Sequence, residues 1–564
     1  MRKTAVHMAI ICFACYVQAL DAAPPTRLSD SSGTTYVGPA AGVDYARPIA
    51  AGDLDGDGFD EVMIGASRAT GGLISRVFVV RGDPDATARG SIDLAVQPAS
   101  QVILGATVDD NLGSSIATGD VNGDGIDDLL LCASNASFGA RTRSGLAYLI
   151  HGGATFFASP TRNLAQAGTW NVRFAGPVIG GDMGGRNAFG GLDTHACAIG
   201  NLNNDAFGDL VFGVHLANGG ATESGRVVVR MGAPFFNGTT IDLSISVVGI
   251  VVVNGEGQFD ELGDAVATGD ITGDGIDELI IPNGYFSQTF FDSEGAVHVF
   301  RGRTSWSGSF SLASSPADIT LFGNRPYDAL GETAAIGDFD NDGIADLVAA
   351  APGGELGAFT NQIGDGLIYG MRGRTAWQTG THLIDFAFDA PDFMLVGDPQ
   401  KELGSSLAIG DVNGDGNADV LAGEWFGGPS NNGVVEVLLG RPVAGSPTYF
   451  ASVDTDLRIE GSAAQDRISF ALAGGDSDDD GRDEIIIGAP FNSGGRGTVY
   501  VARVRYGDLD FDDDVDASDG ATVLDCLLGP DVPVGYECLP ADSNADRDVD
   551  MADIAAFQRA ATAP

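Results

Sequence analysis

Acidic residues recur in this chain at a spacing that suits a hard divalent cation. Seven nine-residue loops place Asp or Asn at position 1, an oxygen-bearing side chain at positions 3 and 5, and a carboxylate at position 9. These side chains converge when the backbone curls tightly, and a glycine at position 6 permits that curl. Ca²⁺ takes about six to eight oxygen ligands, so the loops predict calcium sites in which position 7 supplies its carbonyl oxygen.

The predicted ligands are unequal from loop to loop. The first, fifth and seventh loops have four carboxylates each, whereas Thr272 is a poorer ligand in the fourth loop. In the third loop Asn stands at positions 1 and 3 and Ala206 replaces the glycine, so we expect weak binding or none. In chain order the predicted ligands are Asp53, Asp55, Asp57, Phe59 and Glu61; Asp120, Asn122, Asp124, Ile126 and Asp128; Asn201, Asn203, Asp205 and Asp209; Asp270, Thr272, Asp274, Ile276 and Glu278; Asp338, Asp340, Asp342, Ile344 and Asp346; Asp411, Asn413, Asp415, Asn417 and Asp419; and Asp476, Asp478, Asp480, Arg482 and Glu484.

The segments around the loops repeat with them. Successive loops start 67, 81, 69, 68, 73 and 65 residues apart, and each is flanked by strand-like segments, four to a unit. A long period in a chain with 82 glycines predicts a propeller or a solenoid. The seventh unit lacks its fourth strand, and residues 34–37 supply a spare one at the start of the chain. Since that strand would close a ring, we predict a mainly β fold, a seven-bladed propeller of four-stranded blades.

The loops also have characteristic exits, in residues 350–352 and 487–490. With these Gly-Ala-Pro-like exits, residues 33–504 resemble the FG-GAP repeats of the integrin alpha-chain N-terminal propeller. The resemblance implies calcium in hairpin loops on one face and partner binding on the opposite face. It therefore predicts multiple structural Ca²⁺ ions as the cofactors.

Two twelve-residue acidic loops follow in the tail, residues 506–564, and each leads into a helical stretch. Their spacing resembles a type I dockerin, which implies calcium binding and a cohesin-like partner; a self-contained calcium-stabilised cap is the alternative. Position 6 departs from the family, being Asp513 and Arg547, so the second site is the weaker expectation. By position the implied ligands are Asp508, Asp510, Asp512, Asp514, Asp516 and Asp519, then Asp542, Asn544, Asp546, Asp548, Asp550 and Asp553.

The N-terminus is typical of an export signal. Arg2 and Lys3 precede an apolar stretch, and cleavage after Ala19 gives a signal peptide of residues 1–19; a retained anchor is the alternative. We expect a secreted, extracellular or cell-surface protein of bacterial origin, with no transmembrane segment in the mature chain. Export would permit a disulfide between Cys526 and Cys538, which the sequence leaves open.

The net charge and the sequence motifs limit the classes of function that we expect. The formal charge of −47 argues against nucleic acid and anionic membranes as partners. The sequence contains no catalytic motif that we recognise, so we expect a non-catalytic interaction or adhesion protein with an extracellular protein or carbohydrate ligand. The alternative is a secreted polysaccharide-active enzyme or carbohydrate-binding component. Candidate binding segments are the aromatic residues 283–291 and 424–428, and the tripeptide at 81–83 is interpreted as a repeat feature.

Overall fold

The strands of this protein form seven sheets, one for each acidic loop. The computed structural model describes residues 26–27, 33–39, 43–69, 72–87, 89–185, 195–234, 238–245, 248–287, 293–355, 364–442, 447–462, 464 and 466–503. The predicted signal peptide and the predicted tail module lie outside these residues. Among the described segments, no helix has the length and apolarity that a membrane span requires.

Each sheet is one propeller blade, whose strands follow one another from the inside outward. Blade 1 contains β3 (Val43–Gly52), β4 (Glu61–Ala69), β5 (Arg76–Val80), β7 (Gln101–Leu104) and β11 (Thr161–Asn163); blade 2 contains β8 (Leu112–Gly119), β9 (Asp128–Ala133), β10 (Leu146–Ile150), β12 (Val172–Ala175) and β16 (Thr239–Asp242). Blade 3 contains β13 (Cys197–Gly200), β14 (Asp209–Gly213), β15 (Arg226–Arg230), β17 (Ile250–Asn254) and β21 (Gly308–Ser311); blade 4 contains β18 (Ala267–Gly269), β19 (Glu278–Asn283), β20 (Ala296–Phe300), β22 (Ile319–Phe322) and β26 (His382–Asp385). Blade 5 contains β23 (Ala334–Gly337), β24 (Asp346–Ala351), β25 (Leu367–Met371), β27 (Phe393–Val396) and β31 (Thr448–Phe450); blade 6 contains β28 (Leu403–Gly410), β29 (Asp419–Glu424), β30 (Val434–Leu438), β32 (Leu457–Glu460) and β1 (Thr26–Arg27). Blade 7 contains β33 (Ala471–Gly475), β34 (Glu484–Ala489), β35 (Thr498–Ala502), β2 (Gly33–Val37) and β6 (Ser91–Asp93).

The inner strands form a closed ring, because β3, β8, β13, β18, β23, β28 and β33 each contact the inner strands of both neighbouring blades. Closure uses the N-terminal strand as the sequence predicts. Strand β2 pairs antiparallel with β35, with Gly33 opposite Ala502 and Val37 opposite Thr498. The mainly β, seven-bladed architecture is therefore confirmed.

The blades are larger than predicted, because each sheet has a fifth strand at its outer edge. In six blades this strand comes from the next blade, where it lies between that blade's third and fourth strands; β11, for example, pairs in parallel with β7. The fifth strand of blade 6 is β1, which precedes β2 in the chain. Blade 1 donates β6 to blade 7 in the same way, so the exchange passes around the ring. The prediction of four-stranded blades is wrong in this respect: the donated segments have three or four residues in most blades, too short to show a period.

The core lies between blades, and both faces of the middle strands are buried. In β5, Val77 and Val79 pack against blade 2, whereas Phe78 and Val80 pack against blade 7. A strand that is buried on both sides has a continuous apolar sequence rather than an alternating one. The described helical segments are short: a 3₁₀ turn at Thr375–Gln378, α1 at Ala451–Asp454 and α2 at Asn492–Gly495.

Candidate metal centres

Each acidic loop is the hairpin between the first and second strands of its blade, so all seven loops lie on one face of the propeller. In the first loop, the carboxylate of Asp53 accepts hydrogen bonds from the N–H groups of Gly56 (2.7 Å), Asp57 (3.2 Å) and Gly58 (3.0 Å). The first residues of loops 2, 4 and 6 accept the same three bonds. The first carboxylate therefore fixes the curl of the loop.

The curl requires a left-handed residue at position 4, which the sequence interpretation missed. Position 4 has a positive φ in all seven loops, from +54° at Asn341 to +79° at Gly123. The residues there are Gly, Asn or Asp, the types that tolerate this conformation, so the signal was present in the sequence. Position 6 is left-handed in six of the seven loops, and the exception is Ala206 of loop 3. Loop 3 accordingly follows a different path.

The buried carboxylate at position 9 stabilises the hairpin through a hydrogen bond to the main chain. It is 0% exposed in every loop and accepts the N–H of position 2, as between Leu54 and Glu61 at 2.7 Å. Burial raises the pKa of each of these groups, from about 6 at Asp209 to about 8 at Glu484. A bound cation would favour the ionised forms and offset this cost of burial.

Four loops bring three acidic side chains within 4.8 Å of one another. These groups are Asp53, Asp55 and Asp57; Asp270, Asp274 and Glu278; Asp338, Asp340 and Asp346; and Asp476, Asp478 and Glu484. Several buried carboxylate oxygens of these four loops lack a hydrogen-bond partner, among them Oδ1 of Asp55 and Oε1 of both Glu61 and Glu484. Buried, unpartnered carboxylate oxygens fit a hard cation that takes oxygen ligands.

Loops 2, 3 and 6 have no such group of three acidic residues within the described ranges. All three have Asn at position 3. In loop 3, Asn203 Nδ2 donates to Asp205 Oδ2 at 2.9 Å, so this pair already satisfies part of its own polarity. Occupancy of the individual sites by calcium remains a prediction. Coordination by the carbonyl oxygen of position 7 is also a prediction.

A ring of main-chain hydrogen bonds connects the seven loops, a feature that the sequence analysis did not anticipate. The N–H of position 8 in each loop donates to the carbonyl of position 1 in the preceding loop, at 2.8–3.2 Å. The seven donors are Asp60, Asp127, Gly208, Asp277, Ala345, Ala418 and Asp483. The carboxylates of Asp60, Asp277 and Asp483 also accept the N–H of position 1 in that preceding loop. Displacement of one loop is therefore transmitted to its neighbours.

The opposite face carries a group of aromatic and arginine side chains where blades 6, 7 and 1 meet. We call it the aromatic–arginine patch and define it by Arg47, Trp425, Phe426, Arg467, Phe470 and Phe491. The guanidinium carbon of Arg467 lies 5.1 Å from the ring centre of Trp425 and 5.4 Å from those of Phe426 and Phe491. Trp425 and Phe426 belong to a predicted binding segment, whereas residues 288–291 of the other predicted aromatic segment lie outside the described residues.

A buried ionic network lies in blade 6 near this face. Arg458 contacts Glu436, Asp398 and Glu424, and both glutamates are 0% exposed. Burial raises the pKa of Glu424 to about 7. Because the glutamates have no access to solvent, they belong to the packing of the blade and do not form a surface groove for a polymer.

The comparisons with known proteins agree with the repeat pattern. Five segments match the FG-GAP repeat model: residues 49–80, 112–150, 262–300, 330–362 and 403–438. These segments lie in blades 1, 2, 4, 5 and 6, so the chain contains FG-GAP repeats.

Curated relatives match over part of the chain. Phosphatidylinositol-glycan-specific phospholipase D of Mus musculus is 32% identical over 200 residues, which cover 35% of this chain and 22% of that protein. Integrin alpha pat-2 of Caenorhabditis briggsae is 28% identical over 246 residues (42% and 18%), and integrin alpha-8 of Gallus gallus is 27% identical over 260 residues (43% and 21%). The chain spans about one fifth of the length of these relatives. Among solved structures, an exotype rhamnogalacturonan lyase, YesX, matches with 12% identity and a TM-score of 0.28, covering 85% of this chain and 91% of that one.

One prediction is corrected by these comparisons. We predicted that the protein is not an enzyme, and that exclusion is wrong. A phospholipase D contains a region similar to these repeats, so the propeller pattern occurs in proteins with catalytic activity as well as in integrin alpha chains. The absence of a recognised catalytic motif in the sequence is therefore no ground for excluding catalysis.

Proposed function

We propose that this protein is a calcium-stabilised, extracellular binding protein that holds a protein or carbohydrate ligand on the propeller face opposite its acidic loops. The observation that carries the proposal is the aromatic–arginine patch. Phe491 is 47% exposed beside Arg467, and Arg467 forms no ion pair with an acidic residue in the described part of the chain. Exposed aromatic and arginine side chains are the types that most often anchor a bound partner.

The position of the patch supports ligand binding on one face of the propeller and cation binding on the other. Successive hairpins of an antiparallel blade lie at opposite ends of its strands, so the hairpin that holds Trp425 is remote from the acidic loop of the same blade. Loops that bind cations can thus rigidify the ring without occupying the binding face. The predicted dockerin-like tail would then attach the propeller to a cohesin-like partner.

Calcium is proposed as the structural cofactor because the oxygens described above fit it. Glu61 and Glu484 each keep one buried oxygen without a hydrogen-bond partner, although Arg503 Nε lies 3.9 Å from that of Glu484. Positions 1, 3, 5 and 9 would hold the ions, with the carbonyl of position 7. The bound ion supplies positive charge among carboxylates that otherwise repel one another.

A ligand screen tests the binding face. The purified chain is screened against glycan and extracellular-protein arrays in the presence of Ca²⁺, alongside a Trp425→Ala/Phe491→Ala variant. We expect each hit to lose at least tenfold in affinity in that variant, which is about 1.4 kcal/mol. The matched control is Phe388→Ala, which removes another exposed aromatic ring, 88% exposed on the rim of the propeller. Hits that the double variant retains would place the binding surface elsewhere.

A calcium titration tests the cofactor. A ligand that binds only the folded state stabilises it by about 2.7 kcal/mol per site at one hundred times its Kd. We expect a chelator to lower Tm and excess Ca²⁺ to restore it, whereas Mg²⁺ at the same concentration restores little because it demands stricter geometry. An unchanged Tm in the chelator would contradict a structural role for calcium.

A further inference from the structure

The residue directly after the third strand of each blade lies next to that blade's acidic loop. We call it the post-strand position; in blade order it is Arg81, His151, Met231, Arg301, Arg372, Leu439 and Arg503. In blade 3 the contact with the loop is direct, since Asn203 Nδ2 lies 3.7 Å from the sulfur of Met231. The side chain at the post-strand position is therefore close enough to interact with the side chain at loop position 3.

The identity of the post-strand residue follows the residue at loop position 3. Where position 3 is Asp, in loops 1, 5 and 7, the post-strand residue is arginine; where position 3 is Asn, it is His, Met or Leu. Loop 4 has Thr272 at position 3 and arginine at the post-strand position, but Arg301 is engaged by Asp318 at 3.2 Å instead of by the loop. No loop in the described chain combines an Asp at position 3 with an uncharged post-strand residue.

Each of the three arginines contacts its aspartate in the same manner. Arg81 pairs with Asp55 and Arg372 with Asp340, in both cases through Oδ2 of the aspartate. The third pair, Arg503 and Asp478, also uses Oδ2.

The other oxygen of each aspartate has a different environment. Oδ1 of Asp55, Asp340 and Asp478 is buried and has no hydrogen-bond partner. One oxygen of each aspartate is therefore held by the guanidinium, and the other is left for a cation within the loop. In loops 1 and 7 the arginine also contacts the aspartate at position 5, Asp57 at 3.1 Å and Asp480 at 2.6 Å.

At the predicted side-chain ligand positions 1, 3, 5 and 9, the formal charges of six loops become equal when the arginines are counted; acidic residues at other loop positions are left out of this count. At these four positions loops 1, 5 and 7 have four carboxylates, and one arginine brings their charge to −3. Loops 2, 4 and 6 have three carboxylates and pair with no post-strand arginine among the described residues, and their charge is also −3. Only loop 3, with two carboxylates, departs from this value.

We propose that Arg81, Arg372 and Arg503 are built-in counter-charges that set the calcium affinity of the four-carboxylate loops to the level of the three-carboxylate loops. This inference rests on the proposed calcium binding. Calcium affinity depends on the charge of the ligand set, so an uncompensated fourth carboxylate would tighten binding. The post-strand arginine thus occurs together with the fourth carboxylate, the Asp at loop position 3. Blades 2 and 6 have neither the arginine nor this Asp.

The test is a calcium titration of the full chain in competition with a chromophoric chelator. In the triple variant Arg81→Met/Arg372→Met/Arg503→Met, we expect about three of the bound ions to bind about tenfold more tightly. Adding Asp55→Asn, Asp340→Asn and Asp478→Asn should return them to within about threefold of the original affinity, since each loop then has three carboxylates. The triple Arg→Lys variant keeps the charge and should leave the affinity unchanged.

The matched control is Arg301→Met, at the same position in blade 4 but paired with Asp318, which should not change calcium affinity. Far-ultraviolet circular dichroism of the calcium-loaded variants checks that the propeller is intact; if the triple variant does not fold, the single variant Arg372→Met carries the test. Weaker or unchanged binding in the Arg→Met variants would overturn the inference. If the unmodified chain binds no calcium at all, the proposed function fails instead, so the two failures are distinct.

Discussion

The main-chain N–H of Asp60 donates a hydrogen bond of 2.9 Å to the carbonyl oxygen of Asp476, and the carboxylate of Asp60 accepts the N–H of Asp476 in return, at 3.1 Å. These residues are 416 positions apart in the chain. Their reciprocal contact joins the first acidic loop to the seventh and completes the ring of hydrogen bonds on that face.

Removal of the Asp60 carboxylate should weaken the join between these loops. Asp60→Ala leaves the N–H of Asp476 without its acceptor, and we expect a loss of about 1–3 kcal/mol in the free energy of unfolding. Urea denaturation in the presence of Ca²⁺ measures it. The control is Asp85→Ala, an exposed aspartate of the same blade, which should cost about 0.5 kcal/mol or less. Equal effects of the two substitutions would contradict the role of Asp60.

Closure of the ring depends on the burial of Tyr36 in β2. Its side chain is 3% exposed and packs with residues of blades 7 and 1. Tyr36→Ala should therefore cost about 3–5 kcal/mol, as for other large aromatic truncations in cores. Thermal unfolding followed by circular dichroism gives the measurement, with Val96→Ala, at an 83% exposed position, as the control. A loss below about 1 kcal/mol would mean that β2 is dispensable for closure.

Loop 3 should become a stronger calcium site when its two departures from the pattern are reversed. Asn201→Asp with Ala206→Gly gives it the ligand set of loop 2 and restores the glycine at position 6. We expect one additional equivalent of Ca²⁺ per chain in isothermal titration calorimetry. Ala206→Gly alone is the control, because it frees the backbone without adding a carboxylate. An unchanged stoichiometry in the double variant would show that the path of loop 3 is fixed by other contacts.

The buried His298 gives stability a dependence on pH. Burial lowers its pKa from 6.5 to about 4, so the folded protein keeps the imidazole neutral while the unfolded chain takes up a proton near pH 6.5. Stability contributed by the neutral ring is present above pH 6.5 and is lost as the pH falls toward 4. A His298→Leu variant lacks this loss.

Between pH 7 and pH 4, the His298→Leu variant should therefore gain about 3 kcal/mol relative to the unmodified protein. Urea denaturation of both proteins at several pH values in this interval tests the expectation. A difference in unfolding free energy that does not vary with pH would show that the imidazole does not titrate as described.

The sequence predicted those parts of the fold that repeat with a clear local signal. The acidic loops, the continuous apolar strands such as β5 and the spare strand β2 were all visible, because each depends on residue types within a short window. The donated strands were not: Ser91–Asp93 gains its structure only from pairing with β2 of the neighbouring blade. A three-residue segment has too few side chains to reveal a period.

The candidate sites divide in the same way. Ligand types at positions 1, 3, 5 and 9 follow from the sequence, and so do the departures of loop 3 from the common pattern. The hydrogen bond from Asp60 to Asp476 and the pairing of Arg503 with Asp478 do not, since both depend on which segments the ring brings together. Contacts between distant segments have no local signature in a single sequence.

The pairing of the N-terminal strand β2 with the C-terminal strand β35 has a consequence for folding during translation. Strand β2 pairs with β6 on one edge and with β35 on the other, and β35 begins about 460 residues later, so the second edge of β2 has no partner until then. At about 5–20 residues per second, that interval lasts on the order of 25–90 s. An exposed edge strand favours pairing with another chain during this time. Nascent chains on the same messenger should therefore be prone to exchange their first strand with a neighbour, and slower translation of the last blade should increase the fraction of linked dimers.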